Sequence, residues 1–155
     1  MLLMKTRNLQ LQQIDTKISS LQPLRDLPVP ATGWLKAIRL SLGMSLEQLG
    51  RKLGIAKQNA LALERREQQG AVTINSLREA AAAMDMELVY GFVPKDGTLE
   101  ALINRKAHEV AREIVLMASH TMVLEDQGNS NQRLEKAIEE RAKEIKDKMP
   151  KLLWD

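Results

Sequence analysis

Residues 43–64 have the sequence GMSLEQLGRKLGIAKQNALALE, and this stretch decides the fold. It predicts two short helices joined by a tight turn. Ser45 can cap the first helix, and Glu47 lies near its positive dipole end. Three leucines then recur at helical spacing. Gly54 follows the last of them, where a left-handed residue that ends a helix is most easily glycine.

The second helix of this stretch begins with Lys57, Gln58 and Asn59. A helix that enters the major groove presents side chains from its first turns to base edges. An ordinary helical hairpin is the alternative, but the glycine turn, the amides and the basic residues favour DNA. We expect the DNA surface to include Ser45, Gln48, Arg51, Lys52, Lys57, Gln58, Asn59, Ala62, Arg65 and Arg66.

Positive charge is concentrated around this pair of helices. The whole chain has a net charge of +3, whereas residues 34–66 contain seven basic and two acidic residues. The remainder is therefore net negative. A local excess of positive charge is typical of contacts with phosphates, although solvated basic residues are also common on helix surfaces.

Composition limits the other function classes. The 155 residues include no cysteine, which removes disulfides, thiolate metal sites and cysteine nucleophiles. His108 and His120 lack the spacing of metal ligands, and no phosphate-binding loop or nucleophile elbow is present. We expect neither enzyme activity nor a cofactor nor a metal. Without a membrane span or a signal peptide, a cytoplasmic location is expected.

The chain divides into three predicted segments. Residues 1–31 form an amphipathic helix that ends before Pro23 and a proline-rich connector. Residues 32–95 form the DNA-binding domain, and residues 96–155 form a helical hairpin that binds a partner. The predicted fold class is mainly α, with a phage-repressor-like helix-turn-helix domain, one short strand and helical extensions at both ends.

Two threonines are predicted to cap helices of the central segment. Thr32 would cap its first helix, which is expected to bury Trp34, Leu35 and Ile38. Thr73 would cap a helix that runs to about residue 84.

Residues 87–93, ELVYGFV, are the one strand-like run in the sequence. A lone strand leaves backbone groups unpaired, and no second run offers a partner. We therefore expect the same strand of a second copy to pair with it across a two-fold axis. A homodimer of this kind suits a palindromic operator. The alternative is a solvated extended segment.

The C-terminal segment is expected to contain two helices. Residues 98–126 carry more apolar side chains than a lone exposed helix needs, and a charged helix follows Ser130. One interpretation is that the two form only a hairpin packed on the core. Any apolar surface left over would be a partner site.

Several motifs within residues 34–94 resemble the helix-turn-helix domain of phage-repressor and Xre-type regulators. The similar motifs are SLEQL at 45–49, LGI at 53–55 and the pair LE at 63–64. This resemblance implies that the helix from Lys57 is a recognition helix.

The whole chain also resembles a bacterial family called mobile mystery protein A. The similar stretches are RNLQLQQID at 7–15, PVPATGWLKAIR at 28–39 and YGFVP at 90–94. Members of that family accompany a Fic-domain partner called mobile mystery protein B. The resemblance implies an antitoxin-like DNA-binding regulator.

Residues 121–126, TMVLED, are similar to the Ser/Thr-x-x-x-Glu-Gly/Asn motif of Fic-inhibiting antitoxins. In that family the glutamate pairs with an arginine of the Fic active site. The similarity implies that Thr121 and Glu125 inhibit the partner, with the hydroxyl one helical turn before the carboxylate. Asp126 stands where the family has Gly or Asn.

These observations predict a transcriptional regulator that binds a palindromic operator in double-stranded DNA, represses its own operon and inhibits a Fic-domain protein. A stand-alone Xre-type repressor is one alternative. A helical protein–protein adaptor without DNA affinity is another, and Ala60 and Ala62 in the recognition helix would fit it.

Overall fold

The computed structural model describes residues 1–119 and 130–155. These residues form seven α-helices and two short 3-10 helices, and no strand, so the protein is mainly helical as predicted. The 3-10 helices span Gln22–Asp26 and Pro150–Trp154. The α-helices are α1 (Leu2–Ser19), α2 (Trp34–Ser41), α3 (Leu46–Leu53), α4 (Lys57–Gln69), α5 (Ile74–Ala83), α6 (Leu99–Ser119) and α7 (Ser130–Lys148).

The chain folds into two compact units. The central unit is Asp26–Tyr90, and the terminal unit combines Met1–Arg25 with Gly91–Asp155. Both ends of the chain therefore belong to one unit, whereas 1–31 and 96–155 were predicted to be separate segments.

The central unit consists of α2 to α5 around a small apolar core. Helix α3 packs on α4 and α5, and α2 packs on α4. Burial of apolar side chains from every helix gives the unit its main stabilising contribution. The buried core residues are Leu35, Leu49, Leu63, Ala80 and Met84.

Local signals set the helix ends of the central unit as predicted. Ser45 and Gln48 form a capping box at the start of α3, in which each side chain accepts the other's backbone N–H. Gly54 ends α3 in the left-handed conformation, with φ of 69°. The Thr73 hydroxyl caps α5 by accepting the N–H of Ser76 at 3.0 Å.

The predicted cap of α2 is wrong. Gly33, not Thr32, is the N-cap residue, and it offers no side chain to the helix. Instead the Glu67 carboxylate, from the end of α4, accepts the N–H groups of Trp34 at 2.5 Å and Leu35 at 2.9 Å. Of the three predicted buried residues, Leu35 is buried, Ile38 is half-buried and Trp34 is 42% exposed.

Residues 87–93 belong to no helix and no strand within the described chain. The predicted strand is therefore not formed inside a single copy. Its pairing with a second copy stays a prediction, because a strand forms only where another strand accepts its hydrogen bonds.

The terminal unit is built from α1, α6, α7 and the two 3-10 helices. Helices α6 and α7 form the predicted hairpin, and α1 packs on α6. Small alanines on α6 face larger side chains on α7 and on the last 3-10 helix. The buried core residues are Ala107, Ala111, Ile138, Ile145 and Leu153.

Asp15 of α1 ties the start of α6 to the N-terminal helix. Its carboxylate accepts the N–H of Leu99 at 2.7 Å and of Glu100 at 3.1 Å. Thr98 caps the same helix by accepting the N–H of Ala101 at 3.0 Å. Three of the first N–H groups of α6 are thus paired, which a helix start otherwise leaves to water.

The predicted helix over residues 98–126 is described as far as Ser119. Thr121 and Glu125, assigned above to Fic inhibition, lie outside the described residues. In the described ranges 1–119 and 130–155, no helix combines the length and the apolar character that crossing a membrane requires.

Candidate nucleic-acid interface

The turn between α3 and α4 packs closely on α3 at Gly50. The N–H of Ile55 donates to the Gly50 carbonyl at 2.9 Å. A Cβ added at Gly50 would lie 2.8 Å from the carbonyl oxygen of Ile55, closer than real Cβ atoms approach. The helix pair and the turn were predicted from the sequence, and in the structure Gly50 allows the turn to approach α3.

Helix α4 has one buried face and one exposed face. Ala60, Leu63 and Glu64 are buried, and Gln58 and Arg65 are exposed. At 100° per residue, these exposed side chains lie nearly opposite the buried ones. Of the predicted DNA residues on α4, Ala62 is half-buried on the outward face, and Lys57, Gln58, Asn59, Arg65 and Arg66 are exposed.

One outward residue was missed by the sequence analysis. Gln69 is exposed in the last turn of α4. It lies eleven residues after Gln58, which is close to three helical turns, so the two amides share a face. The helical spacing alone would have identified it.

The first turn of α4 has no side-chain cap. Its N-cap residue is Ala56, and the turn contains no acidic residue. A helix start of this kind carries partial positive charge and favours anions such as phosphate. Lys57 adds a cation there, and its Nζ lies 3.5 Å from Oε1 of Glu47. Both side chains are more than half exposed, so this pair is weak.

Ser45 and Gln48 are partly committed to the capping box of α3. The Ser45 hydroxyl oxygen accepts the backbone N–H of Gln48 at 3.1 Å, and the side-chain Oε1 of Gln48 accepts the backbone N–H of Ser45 at 2.8 Å. Both interactions use acceptor atoms. The Ser45 hydroxyl proton and the Gln48 side-chain NH2 are donors, the type of group that a phosphate oxygen accepts from.

A buried ion pair connects α2 to α4. Nε of Arg39 lies 2.5 Å from Oε1 of Glu64, and the two side chains are 6% and 2% exposed. Arg39 also donates from Nη1 to the Met44 carbonyl at 2.9 Å, so the guanidinium spans α2, the following loop and α4. A buried pair of this kind needs such extra hydrogen bonds to offset desolvation.

This pair changes which residues make up the positive surface. Arg39 and Glu64 belong to the seven basic and two acidic residues of 34–66, but neither faces solvent. Without them, six basic residues remain against Glu47 alone, so the excess is unchanged. The six are Lys36, Arg51, Lys52, Lys57, Arg65 and Arg66.

Two carboxylates of α4 therefore position it against α2. Glu64 pairs with Arg39, and Glu67 caps the start of α2. Both lie on the buried side of α4, one helical turn apart, so they restrict rotation of the helix about its axis. In the sequence, Glu64 is a charged residue at a core position of the apolar pattern, next to Leu63, and this position indicates a buried partner.

No group of three or more His, Cys, Asp or Glu side chains within 1–119 and 130–155 is arranged to hold a metal ion. His108 lies on the exposed side of α6.

Comparison of the chain with models of protein families, with curated proteins and with solved structures finds no match.

Proposed function

We propose that this protein is a DNA-binding transcriptional regulator, and that α3 and α4 form a helix-turn-helix of the phage-repressor type. The observation that supports this most strongly is the outward face of α4. It presents amides and basic side chains together, and two carboxylate contacts to α2, the buried one of Glu64 and the partly exposed one of Glu67, set its orientation.

Each residue type has a distinct role in this proposal. Gln58 and Asn59 carry the amides that form paired hydrogen bonds with adenine in the major groove. Arg65 and Arg66 lie further along α4, where basic side chains contact phosphates and fix the register. Ser45 would donate to a phosphate at the start of α3.

The proposal includes a homodimer and a palindromic site. Residues 87–93 form no strand in a single chain, and Val89 and Tyr90 are 71% and 57% exposed. Pairing of this segment with its copy would satisfy the backbone groups and cover those side chains. Two recognition helices related by a two-fold axis then meet two half-sites.

Selection from a random DNA library, followed by fluorescence anisotropy, tests DNA reading. The wild-type protein is expected to select a palindrome and to bind it as two chains per site. Gln58→Ala and Asn59→Ala should each weaken binding to that site by about 1–3 kcal/mol and leave binding to random DNA nearly unchanged. Lys52→Ala should weaken both alike and reduce the salt dependence.

Gln13→Ala is the matched control, because Gln13 is an exposed amide on α1 in the terminal unit. It should change neither affinity. If the two α4 amide variants lose equal affinity for selected and for random DNA, Gln58 and Asn59 do not read bases. If no sequence is enriched and no salt-dependent binding is measured, the chain is instead the adaptor without DNA affinity.

We also propose that the terminal unit inhibits a Fic-domain partner. Support comes from the resemblance to mobile mystery protein A and from the motif at Thr121 and Glu125. In the co-expressed complex, Glu125→Gly should release autoadenylylation of the partner, measured with labelled ATP, while the complex stays assembled. Asn59→Ala should leave it silent. A partner that is active with wild-type protein, or silent with Glu125→Gly, supports the stand-alone repressor.

A further inference from the structure

A cavity of about 450 Å³ lies within the central unit, between α2, α5 and the residues that follow α5. Its size falls in the range of roughly 300–1,000 Å³ that small-molecule sites occupy. Most of its wall is apolar, and one aromatic ring contributes to it. The apolar lining consists chiefly of Trp34, Leu35, Ile38, Leu77, Met84 and Leu88.

The charged side chains of this cavity all have the same sign. Glu67, Asp85 and Glu87 line it, and among the residues that the structure describes no lysine, arginine or histidine does. Glu67 is already engaged by the N–H groups at the start of α2. Asp85 and Glu87 are exposed, so they can meet a ligand without breaking a contact inside the protein.

We propose that this cavity binds an apolar organic cation. Its apolar wall would accept a hydrocarbon or aryl group, and the half-exposed ring of Trp34 offers a face for a cation–π contact. The carboxylates of Asp85 and Glu87 attract an ammonium group and repel an anion. These three features together select for a molecule that is apolar at one end and cationic at the other.

The fluorescence of Trp34 gives a direct measurement of binding. The second tryptophan, Trp154, lies in the terminal unit and is 59% exposed, so Trp154→Phe leaves Trp34 as the sole reporter. The probes are 4-phenylbutylamine, 4-phenylbutanol and 4-phenylbutanoate, which share one apolar group and differ in charge. The amine should bind about tenfold more tightly than the alcohol, and the carboxylate should not bind.

Substitution of the two exposed carboxylates then tests the source of this selectivity. Asp85 has φ of 56°, a left-handed conformation that Asn also tolerates, so Asp85→Asn keeps the backbone. Asp85→Asn with Glu87→Gln should lower amine affinity to that of the alcohol and leave the alcohol unaffected. Glu79→Gln, at an exposed carboxylate of α5 outside the cavity lining, should change neither.

Several outcomes would overturn the proposal. It is wrong if none of the three probes changes the Trp34 signal, or if amine and alcohol bind the wild-type protein equally. It is also wrong if the double variant retains the preference for the amine. Loss of folding in the double variant would be seen by circular dichroism, and Asp85→Asn alone, with a partial loss of preference expected, then decides.

The location of the cavity also suggests regulation, and this part rests on the proposed function. A cation bound at Asp85 and Glu87 would also lie near Glu67 in the cavity wall, and its charge would weaken the hydrogen bonds of that carboxylate to the start of α2 and so alter the position of α4. The amine should then weaken operator binding at concentrations that quench Trp34, and the alcohol should not. Quenching without an effect on DNA overturns only the regulation, whereas absence of DNA binding leaves the quenching test intact.

Discussion

The central and terminal units are both helical, but they use charge differently. The central unit buries the Arg39–Glu64 pair between α2 and α4. The core of the terminal unit is apolar, and its ion pairs, such as Arg105 with Glu109, are about half exposed. An apolar core can repack with little loss, whereas a buried ion pair accepts few arrangements. We therefore expect the orientation of α4 to be more narrowly defined than that of α6 or α7.

In each unit, the start of one helix is capped by a carboxylate from another helix. Glu67 caps α2 in the central unit, and Asp15 caps α6 in the terminal unit. The surroundings differ, because α2 has Gly33 at its N-cap whereas α6 also has the Thr98 hydroxyl. The same interaction should therefore contribute more to α2.

The largest change in stability is expected when one partner of the buried Arg39–Glu64 pair is removed. Arg39→Met leaves Glu64 buried without a cation and should destabilise the central unit by about 3–5 kcal/mol. Replacing both, Arg39→Met with Glu64→Leu, should return stability close to that of the wild type. Urea unfolding followed by Trp34 fluorescence in the Trp154→Phe background measures the change in this unit.

Arg105→Met is the comparison in the terminal unit, because neither of the pairs it removes is buried. Its effect on unfolding should be far smaller than that of Arg39→Met. Equal midpoints for Arg39→Met and the wild type would show that the buried pair does not stabilise the packing of α2 on α4. A double variant as unstable as the single one would indicate that the hydrogen bond of Arg39 to Met44 matters more.

A smaller loss of stability is expected when either of the two carboxylate caps, Glu67 or Asp15, is removed. Glu67→Ala should cost about 1–2 kcal/mol, and Asp15→Ala should cost less, because Thr98 still caps α6. Amide hydrogen exchange separates the two sites. Protection should fall at Trp34 and Leu35 in the first variant, since their N–H groups lose their acceptor.

The conservative variants Glu67→Gln and Asp15→Asn serve as controls, because an amide oxygen still accepts one hydrogen bond. They should keep part of the protection. If the two alanine variants have equal effects, the second cap of α6 does not contribute to its stability, and the contrast between the two helix starts disappears.

The smallest effect concerns the exposed cluster of the terminal unit. Hydrogen bonds from Arg105 lower the pKa of Asp96 and the pKa of Glu109 below their ordinary values. A carboxyl whose pKa is lowered on folding stabilises the protein above its unfolded pKa, and this contribution is lost as pH falls through the lowered pKa. Arg105→Met should raise both pKa values, as followed by carboxyl NMR titration.

High salt should also raise the pKa values of Asp96 and Glu109 in the wild-type protein, because it screens exposed charges. If the pKa values of Asp96 and Glu109 stay lowered in Arg105→Met, other cations cause the shift. Lys106, which contributes to both, would then be the next residue to replace.

Structural features that depend on residues close together in the chain were predicted correctly. The caps at Ser45 and Thr73 and the left-handed Gly54 lie where the sequence placed them. Such interactions join residues within about one helical turn, so the residue types at adjacent positions are sufficient to identify them. The amphipathic pattern of α4 also identified its outward residues, apart from Gln69.

Contacts between residues far apart in the chain were not predicted, or were assigned to the wrong residue. Thr32 was expected to cap α2, but Glu67 lies closer to those N–H groups once α4 has packed. Arg39 was counted in the positive charge of residues 34–66, whereas it is buried and pairs with a carboxylate 25 positions away in the chain. Neither partner can be identified from its neighbours in the chain.

The sequence by itself determined that the protein is mainly helical, where α3, α4 and α5 begin, and which side of α4 is polar. These properties follow from hydrogen bonds and apolar periodicity within single helices. Only the tertiary structure decided that α1 shares a unit with α6 and α7, that two carboxylates of α4 engage α2, and that a cavity lined by acidic and apolar side chains lies beside them. Those features arise when helices distant in the chain pack together, because burial then determines which charges must find a partner.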